Sequence, residues 1–173
     1  MKLVLIGYMG SGKSVVANQL AQKLQYDSID LDAYIETQEN CSISTLFSKK
    51  GEIYFRRKEN EYLHTLIENE NNFVLATGGG TPCYYNSMET LNAKDKVVTI
   101  YLKTDINTLT SRLFHERAKR PLISHLETKE LLTDFIRKHL FERAYYYNQA
   151  TLVIDTTNKN VQEVVKAIVS HLF

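Results

Sequence analysis

The chain has 173 residues, enough for one domain with a real core, and its 43% hydrophobic and 24% charged residues are those of a globular protein. A formal net charge of +1 offers no bulk attraction to nucleic acid. The longest early apolar run, Leu3-Val4-Leu5-Ile6, is too short for a membrane span or a signal core, and the first motif already begins at Gly7. A single domain over 1–173 is therefore expected, cytoplasmic and monomeric, with neither a nucleic-acid nor a membrane partner. Its two cysteines, Cys41 and Cys83, lack metal-ligand spacing and are read as reduced and structural.

Residues 2–7 form a short apolar run ending in glycine, the pattern of a buried strand. Gly7-Tyr8-Met9-Gly10-Ser11-Gly12-Lys13-Ser14 then fits G-x-x-x-x-G-K-[ST]. Glycines let the backbone wrap so that successive N–H groups point at phosphate oxygens, and a helix opening near Lys13 adds the positive end of its dipole. Lys13 would place a cation on the β- and γ-phosphates, and the Ser14 hydroxyl would face Mg²⁺. Gly10, Ser11, Gly12, Lys13, Ser14 and Val15 are the expected nucleotide contacts. From Lys13 to about Leu24, apolar residues recur at three and four, which predicts a helix.

Residues 27–31 read as a second strand closing on Asp30-Leu31-Asp32. Both carboxylates would lie beside the cradle, one holding Mg²⁺ through water and the other accepting a proton from, or orienting, an acceptor hydroxyl. Aspartate is also common where a strand end turns into a helix cap. Gly51-Glu52-Ile53-Tyr54-Phe55-Arg56-Arg57 opens a helix over about 52–69. A cation at a helix start opposes the dipole, so Arg56 calls for another reason, and gripping a carboxylate is one.

Residues 73–76 read as a third strand, followed by Thr77-Gly78-Gly79-Gly80. Three consecutive glycines cost backbone entropy and imply a close approach to the main chain. A fourth strand follows at 97–102 and a helix at about 105–117. Arg112, Arg117, Lys119 and Arg120 cluster there within nine residues. The stretch from about 114 to 128 is less periodic and charge-rich, as a loop or mobile lid would be. A helix carrying Leu131 to Ala144, a fifth strand at 152–154 and a last amphipathic helix from Val161 to Leu172 complete the chain. Five strands alternating with helices predict an α/β fold: a P-loop NTPase-type three-layer α/β/α domain around a five-stranded parallel sheet, with ligands at the strands' carboxyl ends.

A GTPase would show D-x-x-G and N-K-x-D; neither occurs, so a nucleotide switch is disfavoured. Another small-metabolite kinase, for gluconate or a nucleoside monophosphate, stays open as an alternative, as does a nucleotide-binding module without activity. The ordered set of motifs resembles the shikimate kinase family over nearly the whole chain. The elements that carry the resemblance are Gly7 to Ser14 with Met9, Asp30 and Asp32, Gly51-Glu52 with Phe55-Arg56, Gly78 to Gly80, Arg120-Pro121, and Glu142-Arg143 to Tyr147.

The resemblance implies a nucleoside monophosphate kinase-like fold with a substrate-binding segment at about 32–60 and a lid at about 112–127. It implies phosphorylation of the shikimate 3-hydroxyl by ATP in aromatic amino-acid biosynthesis, with Mg²⁺ as cofactor. It places Lys13, Asp32 and Arg120 in catalysis. Arg56 and Arg143 would hold the shikimate carboxylate beside Gly78, Gly79 and Gly80. Ser14 and Asp30 would serve the metal, and Arg112 would stack on adenine, with Arg117 as the alternative. No adenine contact is assigned to the loop 156–160.

Overall fold

The computed structural model describes residues 1–173. Five parallel strands, β1 (Lys2–Ile6), β2 (Asp27–Asp30), β3 (Phe73–Ala76), β4 (Val97–Lys103) and β5 (Leu152–Asp155), form one sheet in the order β2-β3-β1-β4-β5. Seven helices cover it: α1 (Lys13–Leu24), α2 (Leu31–Glu39), α3 (Ile43–Glu68), α4 (Ser87–Asn92), α5 (Ile106–Glu116), α6 (Lys129–Tyr147) and α7 (Val161–Leu172). The three-layer α/β arrangement is the one expected from the sequence. No helix is long and apolar enough to cross a membrane.

Strand alternation sorts the core into two layers. Leu3 and Leu5 of β1 join Val74, Ile100 and Ile154 against Val16, Leu20, Val164 and Ile168 of α1 and α7. Val4 and Ile6 point the other way, into a cluster with Leu31, Leu63, Leu109, Leu132 and Ile136 from α2, α3, α5 and α6. β1 lies at the centre of the sheet, and its carboxyl end feeds the glycine loop. The neighbouring ends of β3 and β2 deliver Gly78–Gly80 and the two aspartates to the same edge.

The sequence reading differs from the structure in three places. β2 is a polar, partly exposed edge strand, and it stops at Asp30 rather than continuing through Leu31. Asp30 is instead the N-cap of α2, its Oδ1 accepting from the backbone N–H of Asp32 (3.1 Å) and Ala33 (3.3 Å). The helix expected from residue 52 is the second half of α3, whose first half begins at Ile43. Gly51, at φ 81° and ψ 170°, breaks the two apart. That conformation favours glycine, and it makes Glu52 to Arg56 the start of a fresh helical segment.

Candidate active site

Within the loop after β1, Gly7, Gly10 and Gly12 all have positive φ (146°, 80° and 91°). The loop turns in on itself, Ser11 N–H donating to the Tyr8 carbonyl at 3.2 Å, and opens α1 without a side-chain cap. Lys13 is only 9% exposed and donates through Nζ to the carbonyl oxygens of Gly7 (2.8 Å) and Tyr8 (2.9 Å). Burial pushes its pKa down to about 8. Asp32 counters that shift, Arg120 adds to it, Asp30 opposes it and Arg143 adds to it. An anion in the cradle would offset that penalty, which suits a site for phosphate.

Ser14 Oγ donates to Asp30 Oδ2 at 2.7 Å, so the two carboxylate oxygens of Asp30 serve the helix cap and the cradle separately. Asp32 faces the open cleft. Even so, loss of hydration at the carboxyl pushes it up to about 6, reinforced by the negative charges of Glu59 and Asp30 and opposed by Lys13 and Arg56. A carboxylate tuned towards neutrality beside a phosphate cradle suits proton transfer.

The glycine turn after β3 gathers the rest of the site. A Cβ on Gly78 would stand 3.2 Å from Asp32 Oδ1 and 3.1 Å from Glu59 Oε1. On Gly79 it would stand 3.4 Å from Arg143 Nη1, and on Gly80 it would stand 2.6 Å from Arg56 Nη2. Each glycine is thus backed by a different charged side chain. Arg56 Nη1 donates to Glu59 Oε2 at 2.8 Å, while its buried Nε makes no hydrogen bond. Arg143 forms no ion pair, and Tyr147 on the same helix donates to the Gly79 carbonyl at 2.6 Å. Two guanidiniums therefore retain unused donors at one turn.

A cavity of about 490 Å³ runs from the glycine loop past Ser14, Asp30 and Asp32 to Gly78 and Gly79. Arg112 and Arg120 stand on its wall. Arg56, Gly80 and Arg143 do not line it; they gather at the glycine turn, next to the Gly78 and Gly79 that do. Arg112 Nη1 donates to the Gly10 carbonyl at 3.0 Å. Arg117 is turned away over the Phe114 ring at 3.9 Å, donating to the Phe114 carbonyl at 2.6 Å. Arg120 is held by Glu116 Oε2 through Nη2 (2.7 Å) and Nε (3.2 Å).

Several contributors were not foreseen. Glu59, 2% exposed, also accepts from Thr81 Oγ1 at 2.6 Å and so ties Arg56 to the glycine turn. Its place three residues after Arg56, on the same helix face, was the available clue. Thr156 and Lys159, in the loop assigned no contact, line the cavity, as does Glu116. Their only signal was position: the loop follows β5, whose carboxyl end lies at the same edge of the sheet.

A metal can be tested against these donors. Ser14 and Asp30 offer hard oxygen ligands at a helix start, and no group of three His, Cys, Asp or Glu could hold an ion alone. That suits Mg²⁺ arriving on nucleotide phosphates rather than a resident metal.

The sheet, the cradle and the arginine-walled cavity define a P-loop phosphotransferase. A model of the family described as shikimate kinase matches residues 9–173. The shikimate kinase of Flavobacterium johnsoniae is 43% identical over 99% of this chain and 98% of its own, and that of Flavobacterium psychrophilum is 39% identical over 99% of both. Among solved structures, shikimate kinase from Bacteroides thetaiotaomicron superposes with TM-score 0.90 at 34% identity, covering 99% of this chain and 98% of its own. The Acinetobacter baumannii enzyme in complex with shikimate gives 0.84 at 28%, covering 99% and 92%. The chain belongs to the shikimate kinase family. A deoxyadenosine kinase from M. mycoides (TM-score 0.58, 18% identity, 99% of both chains) shares the fold alone.

Proposed function

We infer that the protein transfers the γ-phosphate of ATP to the 3-hydroxyl of shikimate. The observation that carries this reading is the glycine turn: Gly78 against Asp32, Gly79 against Arg143 and Gly80 against Arg56, at the rim of a phosphate cradle. Two guanidiniums with free donors suit a carboxylate, and a carboxyl tuned upward suits a neighbouring hydroxyl. The triphosphate lies along Gly10 to Val15, with Arg112 against the base. Arg56 and Arg143 hold the acceptor's carboxylate, and this fixes the hydroxyl beside Asp32 in line with the γ-phosphorus.

Phosphoryl transfer needs position and charge neutralisation more than covalent chemistry. Asp32 orients the hydroxyl and takes its proton. Lys13 leaves the Gly7 and Tyr8 carbonyls for the β- and γ-oxygens. Arg120 exchanges Glu116 for the transferring phosphate. An exposed pair like Arg120–Glu116 is worth at most about 1 kcal/mol, so a multiply charged phosphate displaces it. Ser14 and Asp30 would hold Mg²⁺ carried on the nucleotide, and the ion would supply further charge neutralisation. The segments 32–60 and 112–127 close on acceptor and nucleotide and exclude water, which would otherwise consume ATP. The site is complete within one chain, so we take the working form as monomeric. A cytoplasmic location fits the need for ATP.

Release of ADP from MgATP, measured with shikimate, gluconate, nucleoside monophosphates and no acceptor, tests the assignment. Turnover is expected with shikimate alone. Turnover with another acceptor only would overturn the carboxylate pocket and leave the cradle intact.

The pH profile should show both tuned groups. The base must be ionised, so kcat/KM falls as pH drops below about 6, the value to which Asp32 is pushed. Lys13 must be protonated, so kcat/KM for ATP falls as pH rises above about 8. An acid limb near 4, the ordinary carboxyl range, would argue against Asp32 as the base.

Gly80→Ala should displace Arg56, because the new methyl carbon would lie 2.6–2.9 Å from three guanidinium atoms. A charged hydrogen bond contributes about 1.5–3 kcal/mol, so KM for shikimate should rise roughly 30-fold while KM for ATP stays put. Equal rises in both constants in steady-state kinetics would contradict this arrangement.

A further inference from the structure

Arg56 has a neighbour that neither the motif nor the chemistry of the acceptor calls for. Tyr84 follows the short turn Thr81–Cys83 after the three glycines, and its ring lies 4.4 Å from Arg56 Cζ. The ring is 37% exposed, so it contributes little to the core. Its backbone is nonetheless firmly set. The Tyr84 carbonyl accepts from both Ser87 Oγ (2.7 Å) and Ser87 N (3.1 Å). The next two residues, Tyr85 and Asn86, both take left-handed φ of 53°, a costly conformation for side chains other than glycine. The turn after the glycines is thus bent so that one aromatic face covers one guanidinium.

The other restraints on Arg56 are incomplete. Glu59 holds Nη1 alone. Nε stands 3.5 Å from Glu52 Oε1 without forming a hydrogen bond, and Glu52 is itself held at 3.2 Å by the Tyr84 hydroxyl. Nη2 bonds no protein atom and remains for a ligand. Without the ring, the guanidinium would keep only the Glu59 hydrogen bond, the longer Glu52 ion pair and the Phe55 ring at 5.1 Å, none of which bonds Nη2, and the pre-set direction of Nη2 would be lost.

We propose that Tyr84 is a positioning residue for the acceptor: its ring, stacked on Arg56, fixes the guanidinium in the orientation that receives the acceptor's carboxylate. This rests on the reading of Arg56 given above. A cation–aromatic contact fixes a planar cation without competing for its N–H groups, which an added carboxylate would do.

The test is steady-state kinetics on Tyr84→Leu, Tyr84→Phe, Arg56→Ala and the Tyr84→Leu/Arg56→Ala double variant, with thermal melts of each. Tyr84→Leu should raise KM for shikimate about 5- to 10-fold, with kcat and KM for ATP within about twofold of the parent. Tyr84→Phe keeps the ring and should stay within about twofold on all three. In the Arg56→Ala background, Tyr84→Leu should add less than about twofold, because the group it positions is gone. An unchanged KM for shikimate in Tyr84→Leu, a loss of the same size with and without Arg56, or a Phe variant as impaired as Leu would each overturn the proposal. If Arg56→Ala itself leaves KM for shikimate unchanged, the carboxylate assignment falls instead.

Discussion

Lys13→Ala is expected to lower kcat/KM by about 10³-fold or more, the cost of removing a preorganised charge that acts on the transferring phosphate. Nothing else in the cradle can take its place. The ammonium is buried, is held by the carbonyls of Gly7 and Tyr8, and is pushed down to about 8 by that burial. Arginine should not rescue it, because a planar fork does not fit a slot shaped around a point donor. The check is ADP release at saturating shikimate, with nucleotide affinity measured separately. A variant within about tenfold of the parent would mean that the cradle's charge comes from elsewhere.

Asp32→Asn is expected to lower kcat by about 10²–10⁴-fold with a smaller change in KM for ATP. Asparagine preserves the shape beside Gly78 and removes only the ionisable oxygen. The acid limb of the pH profile should vanish with it. Stability should move the other way. A carboxyl whose folded-state pKa is raised above its unfolded value favours folding at low pH, and this advantage disappears as pH rises through about 6. At neutral pH the ionised Asp32 opposes folding of the ligand-free protein, so the Asn variant should melt no lower than the parent. A lowered Tm together with unchanged kcat would assign Asp32 to structure rather than chemistry.

The legible parts of the molecule are those whose physics is local. β1, β3 and β4 are apolar runs, and α1 and α7 carry their stripes at helical spacing, so pattern alone finds them. α2 was missed because it buries only Leu31 and Ile35, and because its N-cap doubles as the end of a polar edge strand. The first half of α3 was missed because Gly51 reads as a start when it is a break within a longer element. The cradle and the three glycines were legible because close backbone approach demands glycine at fixed spacing. Arg112 and Arg117 could not be told apart by spacing. Only the end of α5 at Glu116 decides which of them faces the cavity.

Glu59 was half legible, since it pairs with Arg56 three residues away, but its link to the glycine turn was not, and Tyr84 lay beyond reach altogether. Those contacts cross long stretches of chain: Thr81 to Glu59 spans 22 residues and Tyr84 to Glu52 spans 32. Such pairs follow from how α3 packs beside the turn after β3, and no local pattern encodes that packing.

The most direct test of the central claim is the chemical identity of the product. Wild-type protein incubated with MgATP and shikimate, followed by phosphorus and proton NMR, should yield one new phosphate monoester whose phosphorus couples to the proton on carbon 3 of the ring. Phosphate on another hydroxyl would contradict the placement of Asp32 relative to the two arginines. No phosphorylated shikimate, with ATP bound but unspent, would contradict the assigned reaction itself.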